Sequence, residues 1–381
     1  MSSKKLALIQ VIGLPLPCLE PRASRQPWNG KLNLPFAPAC GINFVHIIVS
    51  LGATLSKQPI GILGTGAYVP EAVLNNQDLE KLVATSADWI VERTGIHERR
   101  IAAPDEDTVT MAVSAGRQAL AAAGIAPERL DYIILATNTP PHFFPAGAIQ
   151  VQEALGLGGK AAGFDLQAGC CGFNYALYVA ERLVAPEGKY ALVIGSDTNS
   201  RFTDWTDRGT CILFGDGAGA VVVGPSPRGR IIASFVASQL NMKLVCETEF
   251  DEHVSPFRPV QTHVKRHFLT MDGPEIFKFA VTAVKVSIPR ILAMAGMERE
   301  EIDYLIIHQA NWRILDAGAR FAKVPMDKVF VNVHRYGNTS AASVPLALHE
   351  ALEEGKIKSA DKVLLVSFGA GATWGAALLE W

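Results

Sequence analysis

Two cysteines stand side by side in "QAGCCGFNYA", residues 167–176, flanked by glycines and following the apolar "AAGFDL". Downstream, Phe173, Ala176, Leu177, Ala180, Leu183 and Val184 recur at the spacing of one helix face. The pattern predicts a strand, an elbow and a helix, with Cys170 at the elbow. A helix N-terminus offers unpaired N–H groups and the positive end of the macrodipole, both of which favour a thiolate nucleophile. Burial opposes that ionisation, so a cationic or hydrogen-bonding partner would help. Carried back along the helix, Cys170 phases with Phe173, whereas Cys171 projects with Asn174 and Tyr178 on another side. On these local features alone, one nucleophile and two small core-filling side chains are equally good readings.

Two further residues have the right chemistry. His308 follows "DYLII" and opens "HQANWR", at the C-terminal end of a predicted strand, where α/β sheets hold ligands. Asn338 lies in "RYGNTSAAS", a polar loop ahead of the helical "VPLALHEALEEG". Taken alone, asparagine after glycine is an ordinary turn residue.

An internal repeat supplies the elements that must position them. "LAAAGIAPERLDYIILA" (120–136) returns as "LAMAGMEREEIDYLIIH" (292–308), and "KYALVIGSD" (189–197) returns as "DKVLLVSFG" (361–369), each displaced by 172 residues. Each half reads as a helix with a glycine stop, a Val/Ile/Leu-rich strand, a second helix and another buried strand. Helices alternating with continuous apolar strands predict an α/β sheet covered on both faces. Two such halves are expected to pack about a pseudo-twofold axis, which brings Cys170, His308 and Asn338 toward one interface. The first-half equivalent of His308 is Ala136, so the architecture itself does not require a histidine.

Composition removes other classes. The 381 residues are 49% apolar and carry 35 basic and 37 acidic side chains, a net charge of −2 that gives no reason to expect nucleic acid or an anionic membrane. The cysteines (Cys18, Cys40, Cys170, Cys171, Cys211, Cys246) form no C-x-x-C pair, and the nine histidines form no H-E-x-x-H. Reduced thiols in a cytosol and no metal site are therefore expected. "GTGAYVP" (64–70) lacks the third glycine of a dinucleotide fingerprint, and no phosphate-binding G-x-x-x-x-G-K-[ST] loop occurs. Residues 1–58 are basic and acid-poor, with six Lys or Arg and only Glu20 opposing them. They are expected to be extraneous or disordered, with a transit peptide as the alternative; their apolar stretch is too short to span a bilayer.

From about Pro59 to Trp381 the chain resembles the β-ketoacyl-acyl-carrier-protein synthase III family, the initiating condensing enzymes of type II fatty acid synthesis. The resemblance rests on "SADWIVERTGIHERR", "FDLQAGCCGFNYAL", "TDRGTCILFGDGAGA", "IHQANWRI", "HRYGNTSAASVPLAL" and "SFGAGATWG", in that order. It implies a thiolase-like αβαβα sandwich, with one half over 59–230 carrying the nucleophile and the other over 231–381 carrying His and Asn. It further implies a cytoplasmic homodimer with no permanently bound cofactor. An acyl-coenzyme A would load Cys170, and malonyl-acyl-carrier protein would then lose carbon dioxide and be acylated, with His308 and Asn338 as donors to the enolate. Cys171 takes the small-residue position after the nucleophile.

The same resemblance assigns the backbone N–H groups of Cys170 and Ala370 to an oxyanion hole, although the family usually has glycine at the latter. It puts the coenzyme A adenine between Trp89 and Arg208, with Arg93 nearby and Asn311 toward the pantetheine arm. Phe144, Phe277 and Phe368 would shape the acyl pocket, Phe144 from across the dimer interface. Lys278, Arg313 and Arg320 would dock the acidic carrier protein. The chain departs from the family pattern at "QLNMKLVCETEFDEHVSPF" (239–257), in place of Asp-Gly and a short polar loop. Three rival readings remain: a related condensing acyltransferase of secondary metabolism, a 3-hydroxy-3-methylglutaryl-coenzyme A synthase, and a papain-like cysteine hydrolase with the same Cys, His, Asn order. A noncatalytic homologue is disfavoured by the presence of all three residues.

Overall fold

A computed structural model describes residues 58–186, 188–240, 244–246 and 268–381, the backbone alone for 244–246. Residues 1–57 of the expected extension, and most of the divergent 239–257 stretch, lie outside the described residues.

The repeat read from the sequence is a structural repeat. Helix Thr108–Ala123 stops at Gly124 with φ +63°, and helix Gly273–Ala295 stops at Gly296 with φ +66°, 172 residues further on. Each is followed by a short 3-10 turn, Pro127–Arg129 or Arg299–Glu301, and a buried strand, Tyr132–Ala136 or Tyr304–Ile307. The ties recur too: Asp131 accepts the Tyr190 N–H and Asp303 accepts the Lys362 N–H, both at 2.9 Å.

Two sheets result. The first runs in the order Ile60–Tyr68, Gly217–Pro225, Ala191–Asp197, Tyr132–Ala136, Ala162–Leu166, and the second in the order Tyr304–Ile307, Lys362–Gly369, Thr373–Glu380, Arg230–Ser238. Tyr132–Ala136 pairs parallel with Ala191–Asp197, and its counterpart Tyr304–Ile307 pairs parallel with Lys362–Gly369. The fifth strand has no full counterpart in the second sheet, where a single bridge joins Leu305 to Val329.

Strand alternation shows why both sheet faces are covered. Tyr304 and Ile306 belong to a core that also holds Phe173, Leu177, Val344 and Leu348, whereas Leu305 and Ile307 belong to another with Val284 and Ile314. The first core is the central layer: helices Gly172–Val184 and Ser343–Glu353 lie between the two sheets. Helix Thr108–Ala123 covers the outer face of the first sheet, and helices Gly273–Ala295 and Trp312–Ala322 cover that of the second. The layers are therefore αβαβα, as expected.

Backbone meets backbone where the halves touch. A Cβ at Gly195, in the first sheet, would lie 2.1 Å from the Ala341 carbonyl oxygen, next to the loop that carries Asn338. Gly195→Ala should therefore push that loop away and destabilise the fold by about 1–3 kcal/mol. Thermal denaturation of the two proteins checks this; an unchanged melting temperature would show that the seam tolerates the methyl group.

Candidate active site

Cys170 precedes the helix Gly172–Val184 by two residues. The elbow is made by Gly169, whose φ of +57° lies in the left-handed region that glycine tolerates. A Cβ at 169 would also sit 2.5 Å from the Ala370 nitrogen, and one at Gly369 would sit 2.4 Å from the Cys170 nitrogen. These glycines let the Cys170 elbow of one half abut the strand end of the other.

His308 leaves the strand Tyr304–Ile307 with its backbone N–H on the Val366 carbonyl at 2.9 Å. Asn338 is held by its main chain, its N–H on Leu213 O at 2.8 Å and its carbonyl accepting from Gly215 N–H at 3.1 Å. The side chains of Cys170, His308 and Asn338 line one cavity of about 160 Å³ with Leu213, Phe277 and Phe368. Among the described residues no Asp, Glu, Lys or Arg lines it. Apart from these three groups and Asn311 the wall is apolar, the usual composition of a small-molecule site.

Each polar group is aimed by a neighbour. The Asn338 side-chain oxygen accepts the Ser340 backbone N–H at 2.9 Å, which identifies the other end of the amide as the donor Nδ2. Ser340, itself at φ +54°, donates its hydroxyl to the Cys170 sulfur at 3.4 Å and accepts from Asn138 Nδ2 at 3.1 Å. His308 Nδ1 lies 2.9 Å from Ser343 Oγ, and its ring packs edge-to-face on Phe368 with centroids 5.1 Å apart.

Burial decides the resting charges. It pushes the Cys170 thiol up to about 11; the Ser340 hydroxyl works the other way, and the carboxylate of Asp197 adds to the rise. The helix N-terminus therefore does not give a resting thiolate, and among the described residues no cation along the cavity wall replaces it. Burial lowers His308 to about 3, so its imidazole is neutral. Cys171 is elsewhere: fully buried, with its sulfur 3.0 Å from Ser367 Oγ, and raised to about 12 by burial. Asn174 reaches toward Leu365 O on the same strand, in agreement with the phase that grouped it with Cys171.

The remaining candidates divide. The Ala370 N–H donates to no acceptor among the described residues, which suits a donor for an oxyanion, and the Cys170 N–H is turned toward its own sulfur. The Arg208 guanidinium lies over Trp89 at 4.8 Å from the ring centroid, anchored on Ala84 O, and Arg93 lies at 5.9 Å. Asn311 lines the cavity, but its amide is engaged at both ends, by Arg93 O and the Arg313 N–H. Phe144 is 86% exposed and does not reach the cavity of its own chain. Lys278 pairs with Glu275 at 2.7 Å, Arg320 pairs with Asp316, and Arg313 donates to Glu92 O. These three cations already have partners, and exposed pairs of this kind exchange readily. Sequence reasoning missed Ser340, Ser343 and Asp197. Serines in "GNTSAAS" look like turn residues, and nothing local says which way a hydroxyl points.

Comparison with known proteins agrees with this geometry. Residues 164–240 match the family described as 3-oxoacyl-(acyl-carrier-protein) synthase III, and residues 292–381 match its C-terminal region. The β-ketoacyl-acyl-carrier-protein synthase III of Geobacillus kaustophilus is 46% identical over 322 residues, covering 84% of this chain and 98% of the relative. The chain belongs to the β-ketoacyl-acyl-carrier-protein synthase III family. The crystal structure of the Aquifex aeolicus synthase III superposes with a TM-score of 0.77 at 44% identity, covering 84% of this chain and 100% of that one. The priming β-ketosynthase of the R1128 polyketide pathway superposes with a TM-score of 0.78 at 35% identity, over 85% of this chain and 96% of that one.

The neutral histidine has a measurable consequence. Folding holds His308 unprotonated down to about pH 3, whereas the unfolded chain takes up a proton near the ordinary value of 6.5. Below that value the unfolded state binds more protons, so stability falls as pH drops from about 6.5 toward about 3. His308→Asn should shallow this decline by up to one proton's worth, about 1.4 kcal/mol per pH unit. Urea midpoints of both proteins between pH 5 and 7 test it, and parallel curves would refute the assignment.

Proposed function

We propose that Cys170, His308 and Asn338 carry out the decarboxylative condensation of an acyl-coenzyme A starter with malonyl-acyl-carrier protein, the initiating step of fatty acid synthesis. The observation that carries this reading is the pairing of a neutral imidazole with a primary amide beside the Cys170 thiol, in a cavity where the described residues provide no carboxylate. The Cys170 thiol loses its proton as its sulfur attacks the thioester carbonyl, the carbonyl–coenzyme A bond breaks, and coenzyme A leaves as the thiol. The N–H groups of Cys170 and Ala370 receive the carbonyl oxygen as it becomes anionic.

Malonyl-acyl-carrier protein then enters. As its carboxylate leaves as carbon dioxide, negative charge moves onto the thioester oxygen, where the His308 ring N–H and Asn338 Nδ2 donate. The enolate carbon attacks the acyl-enzyme, the bond to Cys170 sulfur breaks, and that sulfur regains a proton. Decarboxylation itself generates the carbanion, so no strong base is required. A cationic histidine would be a poorer fit, because the donors must stay fixed while only the substrate changes charge.

A cysteine hydrolase reading needs a Cys–His pair oriented by the asparagine. Here the Cys170 sulfur is bonded to Ser340, His308 to Ser343, and Asn338 to the Ser340 N–H. A 3-hydroxy-3-methylglutaryl-coenzyme A synthase would need an acid/base carboxylate on the cavity, where the described residues provide none. The proposal takes the chain as a cytoplasmic homodimer, with Trp89 and Arg208 parting to admit adenine, Asn311 beside the pantetheine arm and Lys278, Arg313 and Arg320 facing the carrier protein. Phe143 and Phe144, 77% and 86% exposed, support an apolar contact with a second copy. No helix among the described residues is long and apolar enough to cross a membrane.

Intact-mass analysis after exposure to acetyl-coenzyme A is expected to show one acyl adduct on the native protein, none on Cys170→Ser and one on Cys171→Ala. An adduct lost only in the second variant would reverse the assignment. His308→Ala and Asn338→Ala should each lower carbon dioxide release from malonyl-acyl-carrier protein by about 100-fold or more while still acquiring the acyl adduct. Equal loss of both steps would point instead to a general collapse of the site.

A further inference from the structure

The buried hydroxyl of Ser343 has no place in the reaction just described, yet it touches one of its participants. Ser343 is the first residue of helix Ser343–Glu353 and is 1% exposed. Its Oγ lies 2.9 Å from His308 Nδ1 and accepts the backbone N–H of Gln309 at 2.7 Å. Gln309 is locked in turn: its side-chain nitrogen donates to Ile307 O and Phe330 O, at 2.8 and 3.0 Å, and its oxygen accepts the N–H groups of Asn332 and Val333, at 2.9 and 3.2 Å. The Gln309 N–H therefore has a fixed direction, and it permanently fills one lone pair of the serine.

Counting protons settles what the serine does next. A hydroxyl has one hydrogen and two lone pairs. If His308 carried its proton on Nδ1 and donated it to Ser343, the serine hydrogen would be a buried donor with no acceptor, since no third partner of this oxygen is found among the described residues. If the serine donates to Nδ1, every hydrogen at the junction is used and the ring proton is left on Nε2, toward the cavity. We propose that Ser343 is a positioning residue that selects the Nε2-protonated tautomer of His308, and so makes the histidine a donor to the enolate rather than an acceptor. The enolate role rests on the function proposed above; the tautomer assignment does not.

The test uses the full chain labelled with nitrogen-15 histidine. Long-range nitrogen–proton spectra distinguish the two neutral tautomers, with His308 assigned by the signal lost in His308→Ala. The native protein is expected to show Nε2–H at His308. Ser343→Ala should shift it toward Nδ1–H and slow condensation by about 10- to 100-fold, while acyl loading from acetyl-coenzyme A stays within about 3-fold of native. Ser343→Thr, which restores the hydroxyl, should recover both signals. An Nδ1-protonated native ring, or a Ser343→Ala protein that keeps both its Nε2–H signature and its condensation rate, overturns the proposal. If Ser343→Ala does not fold, the native spectrum and the threonine variant decide it. A native protein with the Nε2–H signature but no decarboxylation of malonyl-acyl-carrier protein would sink the function and leave the tautomer assignment standing.

Discussion

Desolvation at the seam between the two halves is the constraint from which the chemistry of this molecule follows. The same apolar surroundings that raise the cysteine thiol also strip the imidazole of its proton, because both effects are the cost of a charge in a low-dielectric cavity. The site at rest is thus an uncharged thiol, an uncharged ring and an amide. Among the described residues no Asp, Glu, Lys or Arg lines the cavity around them.

The seam joins two structural repeats. The elbow at Gly169 and Cys170 in the first half abuts Gly369 and Ala370 in the second. The halves differ at equivalent positions: Ala136 is the counterpart of His308, and Ala342 stands 172 residues from Cys170. The shared scaffold fixes the meeting point: Cys170 comes from the first half, His308 and Asn338 come from the second, and all three line one cavity.

Much of this was legible in the sequence, for a physical reason. The repeat, the glycine stops and the continuous apolar strands are local signals, and each survives as the element it predicted, down to the matched Asp131 and Asp303 ties. Helix phase separated Cys170 from Cys171 because a buried helix face is periodic. The thiol's ionisation was not legible. The dipole argument sees four or five residues, whereas desolvation comes from side chains of both halves, Phe368 and Phe277 among them. Ser340 and Ser343 escaped notice for a related reason: each acts on a group 170 or 35 positions away, and a hydroxyl's direction has no sequence period.

The stack of Arg208 on Trp89 bears on timing. With guanidinium and indole already in contact at 4.8 Å, a flat ring entering between them must first separate a pair that satisfies itself. A surface contact of this kind is worth about 0.5–1 kcal/mol, so self-closure would weaken the affinity of any flat ring that inserts there by roughly 2- to 5-fold. Such a discount shortens residence more than it slows arrival.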